Sequence, residues 1–155
     1  EALRDALGFP GMKILQFAFD APINPFLPHN HTRNCVVYTG THDNDTTQGW
    51  FEKLSEIDRQ AVQSYLGRDG HDIAWDLIRL GLGSVADMAI SPMQDVLDLG
   101  TEARMNLPGQ GHGNWNWRML PEQWTVFQQT RLRDLTRMYG RLAVKKNDAP
   151  QTLLD

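Results

Sequence analysis

The chain has 155 residues, of which 41% are hydrophobic and 22% are charged, as in an ordinary globular domain with its own core. Its formal net charge of −4 gives no general attraction to nucleic acid or to anionic membranes. No apolar run approaches the ~20 residues of a membrane span, and no positively charged start followed by an apolar stretch indicates a signal peptide. The sequence therefore predicts no nucleic-acid partner and no membrane partner, and its single cysteine fits a reducing compartment.

The first part of the chain predicts two strands separated by a long loop. Residues 2–7 are expected to end a helix, and the apolar run 12–19 predicts the first strand. Residues 20–34 contain three prolines and predict a loop long enough to serve a function. The second strand is predicted at 35–39, and Cys35 at its start is expected to be a small core residue.

Helical periodicity dominates the rest of the chain. The predicted elements are, in chain order, a helix from Ser55 to Gly67, a helix at 72–82, a strand at 85–91, a short helix at 94–99, an ordered loop at 105–117 and a long helix at 121–144. The apolar faces expected to reach the core are Ile57, Ala61, Val62, Tyr65 and Leu66 in the first of these helices, Ile73, Leu77 and Ile78 in the second, and Trp124, Phe127, Leu135, Met138 and Leu142 in the last.

Three strands separated by helices or long connections predict a parallel sheet in an α/β fold. Three parallel strands leave two open edges and cannot close a barrel. The alternatives are a small open α/β domain and the last part of a larger barrel. Because polar residues are concentrated in the loops that follow the strands, we favour part of a barrel, with residues 1–155 forming one segment of a single domain.

The polar loop after the second strand contains the best candidate for chemistry. Asp43, flanked by His42 and Asn44, is placed to bind sugar hydroxyls or to stabilise an oxocarbenium-like transition state. His42 can read a hydroxyl, since a neutral imidazole both donates and accepts. The alternative for Asp43 and Asp45 is a structural one, in which they only cap the next segment.

A metal site is a second interpretation of the same region. His29 and His31 form an H-x-H pattern and, with His42 and Asp43, could hold a metal ion in a hydrolase. The two histidines lie in the proline-rich loop, before the second strand rather than after it. The metal-dependent hydrolase is therefore the less favoured alternative, and the family resemblance described below implies neither a metal nor an organic cofactor.

Aromatic residues beside amides point to a carbohydrate ligand. Trp115 lies in the run Gly-Asn-Trp-Asn-Trp at 113–117, where an indole can stack on a sugar ring and neighbouring amides can bind its hydroxyls. Asn106 offers another amide on a turn, which Gln94-Asp95 and Arg104 are expected to tie down. The alternative is that tryptophans such as Trp50 and Trp117 are core residues under loops.

Six segments of the chain closely resemble 4-α-glucanotransferases, also called amylomaltases or disproportionating enzymes. They are residues 11–19, 28–30, 36–45, 94–97, 102–106 and 113–115, in the same order as in that family. The phrase Tyr-Thr-Gly-Thr-His-Asp-Asn-Asp-Thr at 38–46 is long and highly specific. The resemblance implies a cytoplasmic (β/α)8 barrel whose partners are α-1,4-glucans and maltooligosaccharides, with this chain as its C-terminal portion.

The resemblance also implies roles for individual residues. Enzymes of this family cleave an α-1,4 linkage with retention and pass the glycosyl unit to a 4-hydroxyl, using an Asp nucleophile, a Glu acid/base and a second, stabilising Asp. By position in the motif, Asp43 corresponds to the stabilising Asp, His42 to its sugar-binding neighbour and Asn106 to an amide near the cleaved linkage. Asn44 and Trp115 are expected to contact substrate as well.

The resemblance places the other two carboxylates in earlier barrel strands. The acid/base Glu falls just upstream of the segment that resembles residues 1–4, so we expect this chain to be a piece of a longer protein and to be inactive when isolated. It would then need the remainder of its own barrel as a partner. An alternative is a non-catalytic α-glucan-binding fragment that presents Trp115 and Asn106 to the ligand.

Overall fold

A three-stranded parallel sheet lies at the centre of the computed structural model, which describes residues 1–143. Its strands, in the spatial order β1-β2-β3, are β1 (Gly11–Ile14), β2 (Cys35–Tyr38) and β3 (Met88–Ile90). The helices are α1 (Ala2–Ala6), α2 (Thr47–Glu52), α3 (Glu56–Leu66), α4 (Ile73–Leu82), α5 (Met93–Val96) and α6 (Val126–Met138). Because the strands are parallel, their carboxyl ends meet at one edge of the sheet.

The two faces of the sheet have different environments. One face packs against the helices, and the buried residues of this core are Leu15, Cys35, Val37, Phe51, Val62, Ile73, Leu77 and Ala86. On the other face Met12 and Met88 are in register with the same residue of β2 and are about half exposed. The sheet is not closed within the described residues, which confirms the prediction of an α/β fold that is not a closed barrel by itself.

The first strand is shorter than predicted. Strand β1 ends at Ile14, and the chain continues as a 3-10 turn at Leu15–Phe17. Leu15 and Ala18 are nonetheless fully buried, and the Gln16 side chain turns to donate to the Asp45 carbonyl at 3.0 Å. A continuous apolar run reports burial, but it does not distinguish a strand from a tight buried turn.

The middle helices follow the predictions in part. Helix α4 has the expected core face, with Ile73, Leu77 and Ile78 all buried. Helix α3 has the expected N-cap at Ser55. Its predicted apolar face is right at the buried Val62 and at Leu66, which packs on the core, but wrong at Ile57, which is 80% exposed. The helix contacts the core along a narrow line, so an apolar residue at helical spacing is not necessarily buried.

The last helix is also shorter than predicted. Thr125 caps α6, which ends at Met138, and Gly140 adopts a left-handed φ of 67° that stops the helix. Val144, at the end of the predicted helix, lies outside the described residues. A second apolar cluster consists of Trp75, Ile78, Val96 and Leu135, and Leu132 and Tyr139 from α6 and its end pack against it. The predicted stripe is therefore right at Trp124 and Leu135 and wrong at three exposed side chains, those of Phe127, Met138 and Leu142.

Helix α2 was not among the predicted elements. Its N-cap is Thr46, whose hydroxyl accepts a hydrogen bond from the Gly49 amide at 3.1 Å. Cys35 is buried with its Sγ 3.0 Å from the Thr32 carbonyl, which confirms the prediction of a core residue. Within residues 1–143, no helix combines the length and the hydropathy that a bilayer span requires.

Substitutions in α4 and α3 distinguish the observed core from the predicted one. Leu77→Ala is expected to lower the free energy of unfolding by about 2–5 kcal/mol, because the fully buried Leu77 leaves a cavity when it is truncated. Ile57→Ala is the matched control and should change it by less than about 0.5 kcal/mol. Urea denaturation followed by tryptophan fluorescence measures both, and equal losses would contradict the observed packing.

Candidate functional site

Two loops meet at the carboxyl edge of the sheet. The first follows β2 and contains His42 and Asp43, and the second follows α5 and contains Asn106. The Asn106 backbone N–H donates to the His42 carbonyl at 3.1 Å, and the Asn106 side-chain Nδ2 donates to Asp43 Oδ1 at 2.6 Å. The structure therefore brings together three predicted site residues from distant parts of the sequence.

The Asp43 carboxylate is half exposed and already has hydrogen-bonding neighbours. Besides Asn106, His42 Nε2 lies 3.3 Å from Asp43 Oδ1, and the Asp43 side chain is 51% exposed. An amide N–H and an imidazole on one side of a carboxylate fix its orientation while leaving it accessible. This carboxylate is therefore suited to act on a bound molecule.

Trp115 extends this group of side chains. Its ring centroid lies 5.0 Å from that of His42, with the planes tilted by 37°, and the indole is about half exposed. Its φ of 62° is unusual for a bulky residue. The backbone around it is held by the bond from the Trp115 amide to the Met105 carbonyl at 2.8 Å. Strained backbone that the surroundings hold in place is concentrated at functional sites.

His42, Asp43 and Trp115 line a cavity of about 760 Å³. Apolar strand residues, among them Met12, Ile14 and Ile90, form one side of it, while the polar loop residues form the other. Among the described residues that line the cavity, Asp43 is the one carboxylate. Apolar surface combined with a few convergent polar groups is the usual form of a small-molecule site.

Asn44 also lines the cavity, but its side-chain oxygen has a structural task. Asn44 Oδ1 accepts from the Thr41 amide at 2.9 Å and from the Thr41 hydroxyl at 2.7 Å. These two bonds close the turn that presents Asp43. A contribution of Asn44 to ligand binding would come from the rest of its amide group.

The Asp45 carboxylate is held by contacts within the protein. Asp45 Oδ1 accepts from the Thr46 amide, and its Oδ2 accepts from the Lys53 ammonium at 2.5 Å and from the Thr101 hydroxyl at 3.0 Å. With these partners it joins the start of α2 to the segment at Thr101. Asp45 is therefore part of the support of the loop, whereas Asp43 faces the cavity.

A third carboxylate, Asp95, is the main support of the first loop. The residue is 1% exposed, and its oxygens accept from the Thr39 hydroxyl at 2.5 Å, the Thr47 hydroxyl at 2.8 Å and the Thr47 amide at 2.8 Å. Burial raises the pKa of Asp95, while these three hydrogen bonds oppose the rise. The sequence pointed to Gln94-Asp95 only as a tie for the second loop, although Gln94 does bond the Ala103 carbonyl at 3.2 Å.

The histidines of the proline-rich loop have partners of their own. His29 lies 3.0 Å from both the Tyr65 hydroxyl and the Pro22 carbonyl, and His31 Nε2 lies 2.8 Å from the Phe26 carbonyl. Burial lowers the pKa of His31 and favours its neutral form. In the part of the chain from residue 1 to 143, no three His, Cys, Asp or Glu side chains form a group suited to a metal ion.

A parallel α/β sheet with a polar site at its carboxyl edge is an arrangement that (β/α)8 barrels and open α/β sheets share. Residues 1–123 match the family described as 4-alpha-glucanotransferase, glycoside hydrolase family 77. The chain belongs to this family, as the sequence motifs predict.

Individual relatives agree with this assignment. Over 144 residues the chain is 56% identical to the 4-alpha-glucanotransferase of Synechocystis sp., covering 91% of this chain and 28% of the relative. It is 49% identical over 147 residues to the chloroplastic/amyloplastic 4-alpha-glucanotransferase of Arabidopsis thaliana, covering 90% and 25%.

A solved structure shows the same fold. The amylomaltase from Streptococcus agalactiae in complex with acarbose superposes with a TM-score of 0.87 at 36% identity, covering 92% of this chain and 29% of that one. The described chain is thus a partial (β/α)8 barrel. It spans less than a third of the length of these relatives.

The support given by Asp95 can be measured directly. Asp95→Ala is expected to lower the free energy of unfolding by about 3 kcal/mol, because it leaves three buried donors of Thr39 and Thr47 without an acceptor. The matched control is Asp87→Ala, which removes an exposed ion pair with Arg33 and should cost less than about 1 kcal/mol. Urea denaturation gives both values, and a small loss for Asp95→Ala would show that the loop is held by other contacts.

Proposed function

We propose that residues 1–155 form the C-terminal portion of the single catalytic barrel of a longer 4-α-glucanotransferase, called the full-length protein below. This enzyme would cleave α-1,4-glucans with retention and transfer the glycosyl unit to the 4-hydroxyl of glucose or of a maltooligosaccharide. The observation that carries the proposal is the half-exposed Asp43 carboxylate, held by Asn106 and His42 on a cavity at the carboxyl edge of the sheet. Family membership supports the same reaction.

We assign Asp43 the role of transition-state stabiliser. Glycosyl transfer with retention passes through a positively charged, oxocarbenium-like state, which an oriented carboxylate stabilises electrostatically. The reaction also needs a nucleophile and an acid/base about 5–5.5 Å apart. Neither nearby carboxylate is free for this work, because Asp45 is held by Lys53 and Asp95 is buried. The two missing groups would come from the remainder of the barrel.

The side chains around Asp43 are suited to hold a sugar. His42 and Asn106 offer hydrogen-bonding groups beside the carboxylate, and the Trp115 indole offers a flat apolar surface about 5.0 Å from the imidazole. Hydroxyls at the edge of a glucose ring match the first two groups, and its apolar face matches the third. The amylomaltase neighbour was solved with acarbose, which supports a carbohydrate ligand.

The proposed chemistry requires neither a metal nor an organic cofactor. Carboxyl groups can attack the sugar, transfer the proton and stabilise the positive charge that develops in the transition state. We place the enzyme in the cytoplasm, in keeping with the unpaired thiol of Cys35, although the Arabidopsis relative is named chloroplastic/amyloplastic. The isolated chain is expected to bind α-glucans without turning them over, because Asp43 is the one carboxylate among the described residues that line the cavity.

Glucose release from maltotriose tests the proposed reaction. The full-length protein is expected to release glucose and form longer maltooligosaccharides. The isolated 155-residue chain should do neither, because the assigned roles place the nucleophile and the acid/base in the remainder of the barrel. Chromatography of the products distinguishes transfer from hydrolysis. Turnover by the pure isolated chain would show that its catalytic acids lie within these residues and that the assigned roles are wrong.

Substitution of Asp43 tests its role. Asp43→Asn in the full-length protein should lower kcat about 100-fold or more, because it removes the negative charge from a side chain of the same shape. The matched control is Asp98→Asn on the turn after α5, where asparagine tolerates the left-handed φ of 56° and kcat should stay within about twofold. Near-normal turnover by Asp43→Asn would remove this residue from the mechanism.

A further inference from the structure

We propose that Arg104 is a positioning residue that sets the orientation of the Asp43 carboxylate. This inference rests on the proposed role of Asp43 as the stabilising carboxylate. Arg104 Nη2 donates to the Asp43 carbonyl at 2.6 Å, and its Nε donates to the Asn106 carbonyl at 2.8 Å. One guanidinium thus holds the backbone of both residues whose side chains bond each other at the site.

The geometry of arginine is needed for this double contact. A guanidinium presents its N–H groups in a rigid planar fork, so two bonds to two carbonyls fix the separation and the relative direction of the two peptide groups. The lysine ammonium is a point charge on a flexible stem and does not impose that geometry. Arg104 therefore acts as a fixed spacer between the loop of Asp43 and the loop of Asn106.

The backbone next to Arg104 is fixed by contacts with buried residues. Arg104 follows the 3-10 turn Thr101–Ala103, in which Ala103 is buried and its carbonyl accepts from the buried Gln94 side chain at 3.2 Å. The Arg104 side chain then runs along the cavity to the Asp43 loop. Contacts with the α5 region therefore help to fix the position of the Asp43 carboxylate, in addition to contacts within its own loop.

A small displacement of Asp43 has a large effect under the proposed mechanism. A shift of about 1 Å in a catalytic group can cost about 100-fold in rate. Asp43 is half exposed, so burial alone does not fix its orientation. Arg104 bonds the Asp43 carbonyl, and Asn106 bonds the Asp43 carboxylate. Loss of the Arg104 bond is expected to weaken the hydrogen bond from Asn106 that orients the carboxylate.

A double-mutant cycle in the full-length protein tests this inference. Arg104→Lys is expected to lower kcat for maltotriose about tenfold or more, with KM within about twofold. In the Asp43→Asn background the same substitution should change kcat by less than about twofold, because the group that Arg104 positions is already gone. The matched control is Arg141→Lys, since Arg141 also bridges carbonyls, those of Leu82, Ser84 and Ala86, but lies away from the cavity.

The possible outcomes separate this inference from the proposed function. Absence of glucan transfer by the wild-type full-length protein would overturn the function itself. Transfer that depends on Asp43, combined with fully additive effects of Arg104→Lys and Asp43→Asn, would overturn the inference alone. A rise in KM at constant kcat would do the same, because it would indicate a direct substrate contact. If Arg104→Lys fails to fold, Arg104→Gln replaces it in the double-mutant cycle. Failure of both variants to fold would show that Arg104 has a purely structural role, which would overturn the inference.

Discussion

The site depends first on the buried carboxylate of Asp95. Its two oxygens accept three hydrogen bonds, one from Thr39 at the end of β2 and two from Thr47 at the start of α2. The loop that contains His42 and Asp43 begins after the first threonine and ends before the second. A single carboxylate on α5 thus fixes both ends of this loop, so the loop can be polar and exposed without being loose.

Three neighbouring aspartates show how environment separates the roles of one residue type. Asp95 is buried, which raises its pKa, and it accepts only from neutral donors. Asp45 is paired with the Lys53 ammonium and the Thr101 hydroxyl. Asp43 is half exposed on the cavity, with one of its oxygens oriented by Asn106 and His42. The contacts of each aspartate, and not its spacing in the sequence, therefore determine whether it supports the loop, forms an ion pair or faces the cavity.

Local signals in the sequence predicted what local forces determine. The periodicity of α4, the cap at Ser55, the strand that begins at Cys35 and the position of Asp43 after that strand all follow from short-range pattern. The contact of Asp95 with Thr39 joins residues 56 positions apart, and no local sequence pattern predicts it. The early end of β1 and the exposed Ile57 of α3 were missed because apolar spacing reports only that a residue can be buried, while packing decides whether it is.

The sheet has an uncovered face, and residues 1–143 place one carboxylate on the cavity; under the proposed function both facts have one explanation. Met12 and Ile90 belong both to the exposed face of the sheet and to the lining of the cavity. In a closed barrel that face is the packed interior. The elements that cover it would also bring the nucleophile and the acid/base to Asp43. Closing the hydrophobic interior and completing the catalytic site are then the same structural event, so the hydrophobic effect that closes the barrel also assembles the site.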